Sequence, residues 1–284
     1  MTKPFPTAIR AYLGGSFNPV HNAHIEMAMQ VYHSLAPLTA ERNCELQVSL
    51  LPNARSPFKS QSLAPKHRLA MLKLAVQDTP IRVDELEIWQ PPPVYTIDSV
   101  RTLRQRHPQD VLIFIMGMDS ARSLDKWKQG LQLTDYVHLW VFDRSADNAS
   151  SNANPTDPNL PHKPFDNSKT LSDKQRALLI NELPNSLPAQ VVDSISELVT
   201  TSIDSLAAQN LANKGLKTLR KGRIYIDSRP VQKVSSTKIR NQLLTYYTAP
   251  IIKDGLLNHC EYLSKHLHPA VYDYIVQHKL YSAD

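Results

Sequence analysis

Between residues 8 and 144 the sequence switches repeatedly between short apolar, often β-branched runs and stretches of helical period. That alternation restricts the fold more than any other feature. Residues 9–13 predict a strand. Over 23–35, His24, Met27, Ala28, Val31 and Leu35 fall on one helical face. Residues 46–51 predict a second strand, and 65–76 a helix with proline at its start. Residues 81–86 are strand-like. Thr96 stands where it can cap a helix carrying Ile97, Val100 and Leu103. Residues 111–116 are apolar enough for a strand buried on both faces, and 137–142 form a further strand. Strands separated by helices make a parallel sheet covered on both sides. The expected class is α/β, a Rossmann-like open parallel sheet.

The pattern breaks after Arg144. Residues 145–170 are rich in Asn, Asp, Ser and Pro, the composition of a loop or linker. Helical patterns follow over 171–182 and 188–212. In the second, Val191, Val192, Ile195, Leu198, Val199 and Ile203 make an apolar stripe, read as packing surface. A strand over 223–227 then resumes the α/β pattern. A helix capped by Ser235 or Ser236 follows it. Residues 255–281 read as two short helices, with Pro269 near the start of the second.

The 32 basic and 26 acidic residues leave a charge of +6, which favours anionic partners. No run of like charge is long enough for a nucleic-acid arm, so nucleic acid is not an expected partner. Cys44 and Cys260 lie far apart and in no C-x-x-C pair. This argues against a zinc site or disulfide framework and for reduced thiols in a cytoplasmic protein. The first seven residues lack an apolar leader, and the longest apolar run, 111–118, is far too short to span a membrane.

With only seven glycines in the chain, two stand together at Gly14 and Gly15, directly after the first strand. The pair reads as a backbone requirement, such as close approach to a ligand. The run Gly14-Gly15-Ser16-Phe17-Asn18-Pro19-Val20-His21-Asn22-Ala23-His24 leads from that strand into the first helix. Parallel sheets take ligands at the carboxyl ends of their strands, and a helix N-terminus offers N–H groups and partial positive charge to phosphate. His21 and His24, three residues apart, can share one face and stabilise charge on a departing phosphate group. A histidine pair at this spacing can also be plain surface or core, and a zinc pair finds no third ligand nearby.

Late in the chain, Val234-Ser235-Ser236-Thr237-Lys238-Ile239-Arg240 again follows a strand and opens a helix. A serine caps it, and Arg240, a turn further on, can reach back to a polyphosphate with its guanidinium fork. Lys238 reads as surface. Two such sites fit one triphosphate held from both ends.

The first segment resembles the G-G-[ST]-F-[DN]-P-x-H-x-G-H signature of nicotinate-nucleotide adenylyltransferases within the nucleotidyltransferase superfamily, with Ala23 where the family has glycine. The second resembles their I-S-S-T-x-I-R motif. The resemblance covers about 8–144 and 220–281. It extends to Leu51-Pro52-Asn53 with Lys59, to Lys66-His67-Arg68, similar to the family's R-x-x-M region and also readable as the opening of a helix, to Tyr95-Thr96-Ile97-Asp98, and to Gly117-Met118-Asp119. Leu124-Asp125-Lys126-Trp127 matches L-x-x-W, and Arg144 matches the arginine of C-x-R-P-G without its Pro-Gly.

The resemblance implies transfer of AMP from ATP to nicotinate mononucleotide, giving deamido-NAD and pyrophosphate in NAD biosynthesis. It implies His21, His24 and Arg240 as catalytic groups. Gly15, Ser16, Phe17, Ser236 and Thr237 would bind ATP. Asn53, Thr96, Asp119, Trp127 and Arg144 would shape the mononucleotide site, with Trp127 stacking on the pyridine ring and Asp119 on ribose. Magnesium would be held through ATP phosphates, with no protein ligand. The expected organisation is a nucleotide-binding half over 1–144, a loop and helical insertion over 145–219, and a final strand, second motif and C-terminal helices over 220–284, together one catalytic domain. A sibling enzyme for nicotinamide mononucleotide or phosphopantetheine, or a non-catalytic nucleotide sensor, stays open on the sequence. Oligomeric state is not legible.

Overall fold

The computed structural model of the chain describes residues 8–54, 63–143, 173–200, 221–248 and 261–282. Seven strands form one sheet: β1 (Ala8–Gly15), β2 (Glu45–Pro52), β3 (Arg82–Val83), β4 (Val111–Gly117), β5 (His138–Phe142), β6 (Val191–Val192) and β7 (Ile224–Asp227). Their order is β3-β2-β1-β4-β5-β7-β6. Every pairing is parallel. The chain winds outward from β1 to β3, then crosses back to β4 and winds the other way. The direction therefore reverses between β1 and β4, where Leu13 pairs with Ile115. Such a switch point leaves a crevice at the carboxyl ends of the two strands.

The strand period of two distributes side chains to both faces. Ile9, Ala11 and Leu13 of β1 join Val111, Ile113 and Ile115 of β4 in one core. Tyr12, Leu112, Phe114 and Met116 enter the other. All seven residues of β4 are buried, and each large apolar side chain so buried contributes about 1.5–3 kcal/mol. The first core is closed by α1 (Asn22–Arg42), α2 (Pro65–Val76) and the helices after β7. The second is closed by α3 (Thr96–Arg106), the segment 118–135 that begins with α4 (Met118–Ala121), and α5 (Asp173–Asn181).

Helix α1 extends beyond the expected 23–35. It runs through Pro37 and ends at Asn43, which caps it in the left-handed conformation with φ 49°. The strand expected at 81–86 is only two residues long, although the Asp84 N–H still donates to the Leu50 carbonyl at 2.9 Å. Thr96 is not the cap of α3. The Asp98 and Ser99 N–H groups both close on the Tyr95 carbonyl, so Tyr95 is the N-cap and Thr96 the first helical residue.

The helix expected over 188–212 divides. Val191 and Val192 pair with Ile224 and Tyr225 as β6, and helix α6 (Ile195–Thr200) follows. A β-branched pair suits an edge strand better than a helix. Leu198 and Val199 are fully buried, as a packing stripe requires. The linker 145–170, together with Ile203, Lys59 and Cys260, lies outside the described residues. After β7 come α7 (Ser236–Thr248), a helical run at 261–266, and α8 (Pro269–Gln277).

Candidate active site

The exit of β1 sits at the switch point. Each of the two glycines there faces an aromatic ring. A Cβ on Gly14 would run into the Phe114 ring, and one on Gly15 would lie 3.0 Å from the Phe17 ring. Packing of two aromatic rings is by itself enough to require that both positions lack a side chain. Phe17 turns the chain with φ 45°, a left-handed backbone that is costly for a bulky residue. Its ring is buried and meets His24 edge-on at 4.9 Å between centroids.

His21 precedes α1 as its N-cap residue, and His24 occupies the first turn. Their rings stack, with centroids 3.7 Å apart and planes 25° from parallel. The His21 backbone N–H donates to Nδ1 of His24 at 3.2 Å. With Nδ1 an acceptor, the neutral His24 ring carries its proton on Nε2 and is a donor there. Ala23, between them, turns its methyl into the first core and is 3% exposed. The methyl that replaces the family's glycine is thus taken up by packing.

The second motif is laced directly to the first. Ser235 caps α7, its Oγ accepting from the Lys238 N–H at 3.2 Å. The Ser236 hydroxyl donates to the Pro19 carbonyl at 2.9 Å. Arg240 donates through Nη1 to the Asn18 carbonyl at 2.7 Å and through Nη2 to Thr237 Oγ1 at 3.2 Å. Lys238 stands over the Tyr262 ring, in keeping with a surface role.

Asn53 meets the same loop from β2. Its N–H donates to the Gly15 carbonyl at 3.0 Å, and its side-chain amide lies 3.5 Å from Ser16 Oγ. Thr96 opens α3, and Trp127 lies in the segment after α4. Tyr95 and Trp127 both pack on the second core, and Lys128 bridges their segments, standing over the Tyr95 ring and pairing with Asp98 at 3.1 Å. Asp119 is exposed in α4, two residues beyond the end of β4. The structure thus joins Gly15, Ser16, Phe17, His21, His24, Asn53, Ser236, Thr237 and Arg240 in one bonded group. Thr96, Asp119 and Trp127 stand on elements around the end of β4. Arg144 lies outside the described residues.

Two further residues hold this group, Arg68, to which the sequence assigned no site role, and Tyr281. Arg68 is fully buried, and donates to the Ser16 carbonyl at 2.9 Å, the Leu63 carbonyl at 3.2 Å and the Ala54 carbonyl. Burial pushes its guanidinium pKa down, with the Tyr281 hydroxyl opposing. The Tyr281 hydroxyl donates to Asn18 Oδ1 at 2.8 Å. The R-x-x-M likeness was the only sequence signal for Arg68, and none pointed to Tyr281. No described helix is long and apolar enough to cross a membrane.

The cytidylyltransferase-like family model matches residues 12–242, a span that contains both motifs. A probable nicotinate-nucleotide adenylyltransferase of Idiomarina loihiensis is 29% identical over 275 residues, covering 96% of this chain and 99% of the relative. One from Pseudoalteromonas atlantica is 28% identical over 271 residues, covering 94% and 92%. Among solved structures, a Plasmodium falciparum nicotinic acid mononucleotide adenylyltransferase complexed with NaAD is similar with a TM-score of 0.55 over 97% of each chain. Its 17% identity makes this a likeness of fold. A parallel sheet reversing between β1 and β4, two motifs hydrogen-bonded to each other on one face of it, and a family match over most of the chain lead to one conclusion: the chain belongs to the cytidylyltransferase-like family.

Proposed function

We propose that the chain is a nicotinate-nucleotide adenylyltransferase. A phosphate oxygen of nicotinate mononucleotide attacks the α-phosphorus of ATP. A new P–O bond forms, the bond from the α-phosphorus to the bridging oxygen breaks, and pyrophosphate leaves with deamido-NAD as product. The observation that carries this reading is the lacing of Ser236 and Arg240 to the Pro19 and Asn18 carbonyls. It sets two anion-binding helix starts against each other across one site. Full-length relatives bearing the same name support the choice of substrate.

In this reading the work is positioning and charge stabilisation. Backbone groups of Gly15, Ser16 and Phe17 lie along the α-phosphate. His21 and His24 stabilise charge developing on the leaving group, His24 through Nε2–H. Ser236, Thr237 and Arg240 anchor the β- and γ-phosphates. Asn53, Thr96, Asp119, Trp127 and Arg144 shape the mononucleotide side.

The donors gathered at the β1 exit are imidazole, guanidinium, hydroxyl and N–H groups, which suit anions rather than a hard cation. Magnesium fits this site as a partner of the phosphate oxygens and water, where it would offset triphosphate charge.

Pyrophosphate release with magnesium-ATP, measured with nicotinate and nicotinamide mononucleotides side by side, tests the proposal. Release with preference for the acid is expected. A folded protein that releases pyrophosphate with neither acceptor would overturn it.

A further inference from the structure

We infer that the C-terminal end of the chain belongs to the triphosphate site: Arg68 and Tyr281 form a clamp that holds the loop Ser16–Asn18 in its phosphate-binding shape, with Tyr281 as a positioning residue. The inference rests on the ATP reading above.

Phe17 stands at the middle of the loop. Its φ of 45° places a bulky residue in the left-handed region, and such a conformation persists only where the surroundings hold it. The holding groups lie on either side. Before Phe17, the Ser16 carbonyl accepts from Nη1 of Arg68 at 2.9 Å. After it, Asn18 is gripped twice. Its carbonyl accepts from Arg240 at 2.7 Å, and its side-chain oxygen accepts from the Tyr281 hydroxyl at 2.8 Å. Main chain and side chain of one residue are thus fixed by two elements from the C-terminal part of the sequence.

Arg68 does more than brace Ser16. Its other bonds go to the carbonyls of Ala54 and Leu63, so one guanidinium ties the exits of β1 and β2 together. All three acceptors are neutral backbone groups, and among the described residues no carboxylate forms an ion pair with it. A fully buried cation behind a phosphate loop is offset when an anion arrives in front. The polyphosphate supplies that charge.

Tyr281 reaches Asn18 because α8 docks on α2. Val271 and Ile275 enter the same core as Met71 and Leu72, and the Tyr274 hydroxyl meets Nδ1 of His67 at 2.9 Å, next to Arg68 in sequence. Tyr281 itself has φ 67°, again a backbone that its surroundings must maintain. Burial raises the phenol pKa, with Arg240 and Arg68 opposing, so the hydroxyl keeps its proton and stays a donor.

The test is Tyr281→Phe beside Tyr274→Phe. The first keeps the ring and removes the bond to Asn18. The second removes a hydroxyl that joins the same two helices away from the loop. For Tyr281→Phe, ATP affinity measured by calorimetry without acceptor falls roughly fivefold, the size of one lost hydrogen bond. KM for ATP rises in step, and KM for the acceptor is unchanged. Amide hydrogen exchange of residues 15–21 speeds up in the unliganded protein. Tyr274→Phe leaves all four readings as in wild type, whatever it does to the melting temperature.

Two results would overturn the clamp. One is loop exchange equal in Tyr281→Phe and wild type. The other is a melting-temperature loss in Tyr281→Phe with no shift specific to ATP. Exchange needs no ligand, so it judges the clamp even if wild type turns over neither mononucleotide, an outcome that would count against the proposed reaction instead.

Discussion

His24 is half-buried in the first turn of α1, and its Nδ1 is engaged by the His21 N–H. His24→Ala removes one donor from the transition state, together with the ring contacts to His21 and Phe17 and the acceptor of the His21 N–H. Turnover should fall about 10²–10³-fold, the usual cost of losing one such donor, with the protein still folded and its melting temperature lowered only by the lost helix-start bond, about 1 kcal/mol. Pyrophosphate release at saturating ATP checks the first point and a thermal melt the second. Retained turnover would remove His24 from the mechanism.

Ala23 gives a second prediction at this scale. Its methyl is buried in the first core, so restoring the family's glycine brings no catalytic gain and loses helix propensity. Ala23→Gly should cost about 1 kcal/mol in denaturant unfolding and leave kcat where it was. A rise in kcat would show that the methyl crowds the phosphates after all. The motif residues were legible because phosphate chemistry is packed into a few consecutive positions. Arg68 and Tyr281 were not, because their roles come from approach in space. Tyr281 lies 263 residues from Asn18, and nothing local distinguishes it from the tyrosines that simply pack.

At the scale of elements, α1 does two tasks with two faces. Met27, Ala28, Val31 and Leu35 close the first core, and this stripe was readable from the sequence. Glu26, Gln30 and Ser34 are spaced four apart and form a polar stripe that was not read. Ser34 Oγ accepts from Arg229 at 2.9 Å, the Gln30 amide donates to the Pro230 carbonyl at 3.0 Å, and Glu26 accepts from the Gln232 N–H at 3.0 Å. The segment between β7 and α7 is therefore laid along α1, and Ser236 and Arg240 arrive beside Pro19 and Asn18. A polar stripe reads from sequence as a solvated face, because only the tertiary fold places a chain against it. Gln30→Ala should cost about 1 kcal/mol and loosen that segment, seen as faster amide exchange over 229–240. Unchanged exchange there would mean that β7 and α7 position themselves without the stripe. Val191 and Val192 were misread for a related reason. A short apolar run carries no reliable period, and pairing with β7 decides it.

For the whole molecule, the alternation over 8–144 was enough to give the parallel sheet, because burial on both faces leaves few other solutions. The strand order was not readable, since it depends on which way each crossover turns. A buried carboxyl is among the groups that couple this fold to pH. Glu87, 6% exposed between β3 and α3, has its carboxyl pKa raised to about 7, chiefly by burial, with Asp84 adding and the Ser99 hydroxyl opposing. The folded protein therefore holds this proton more tightly than the unfolded chain, whose ordinary value is 4.5. The stability it contributes is fully present below 4.5 and is lost as pH rises through about 7. The difference across that window is on the order of 3 kcal/mol. Glu87→Gln keeps the shape and removes the titration. Melting temperatures recorded from pH 4.5 to pH 8 should fall more steeply in wild type than in Glu87→Gln. The variant should be the more stable protein at pH 8. Parallel curves would mean that Glu87 stays ionised in the fold, its charge held by solvent or by a group not yet seen to face it.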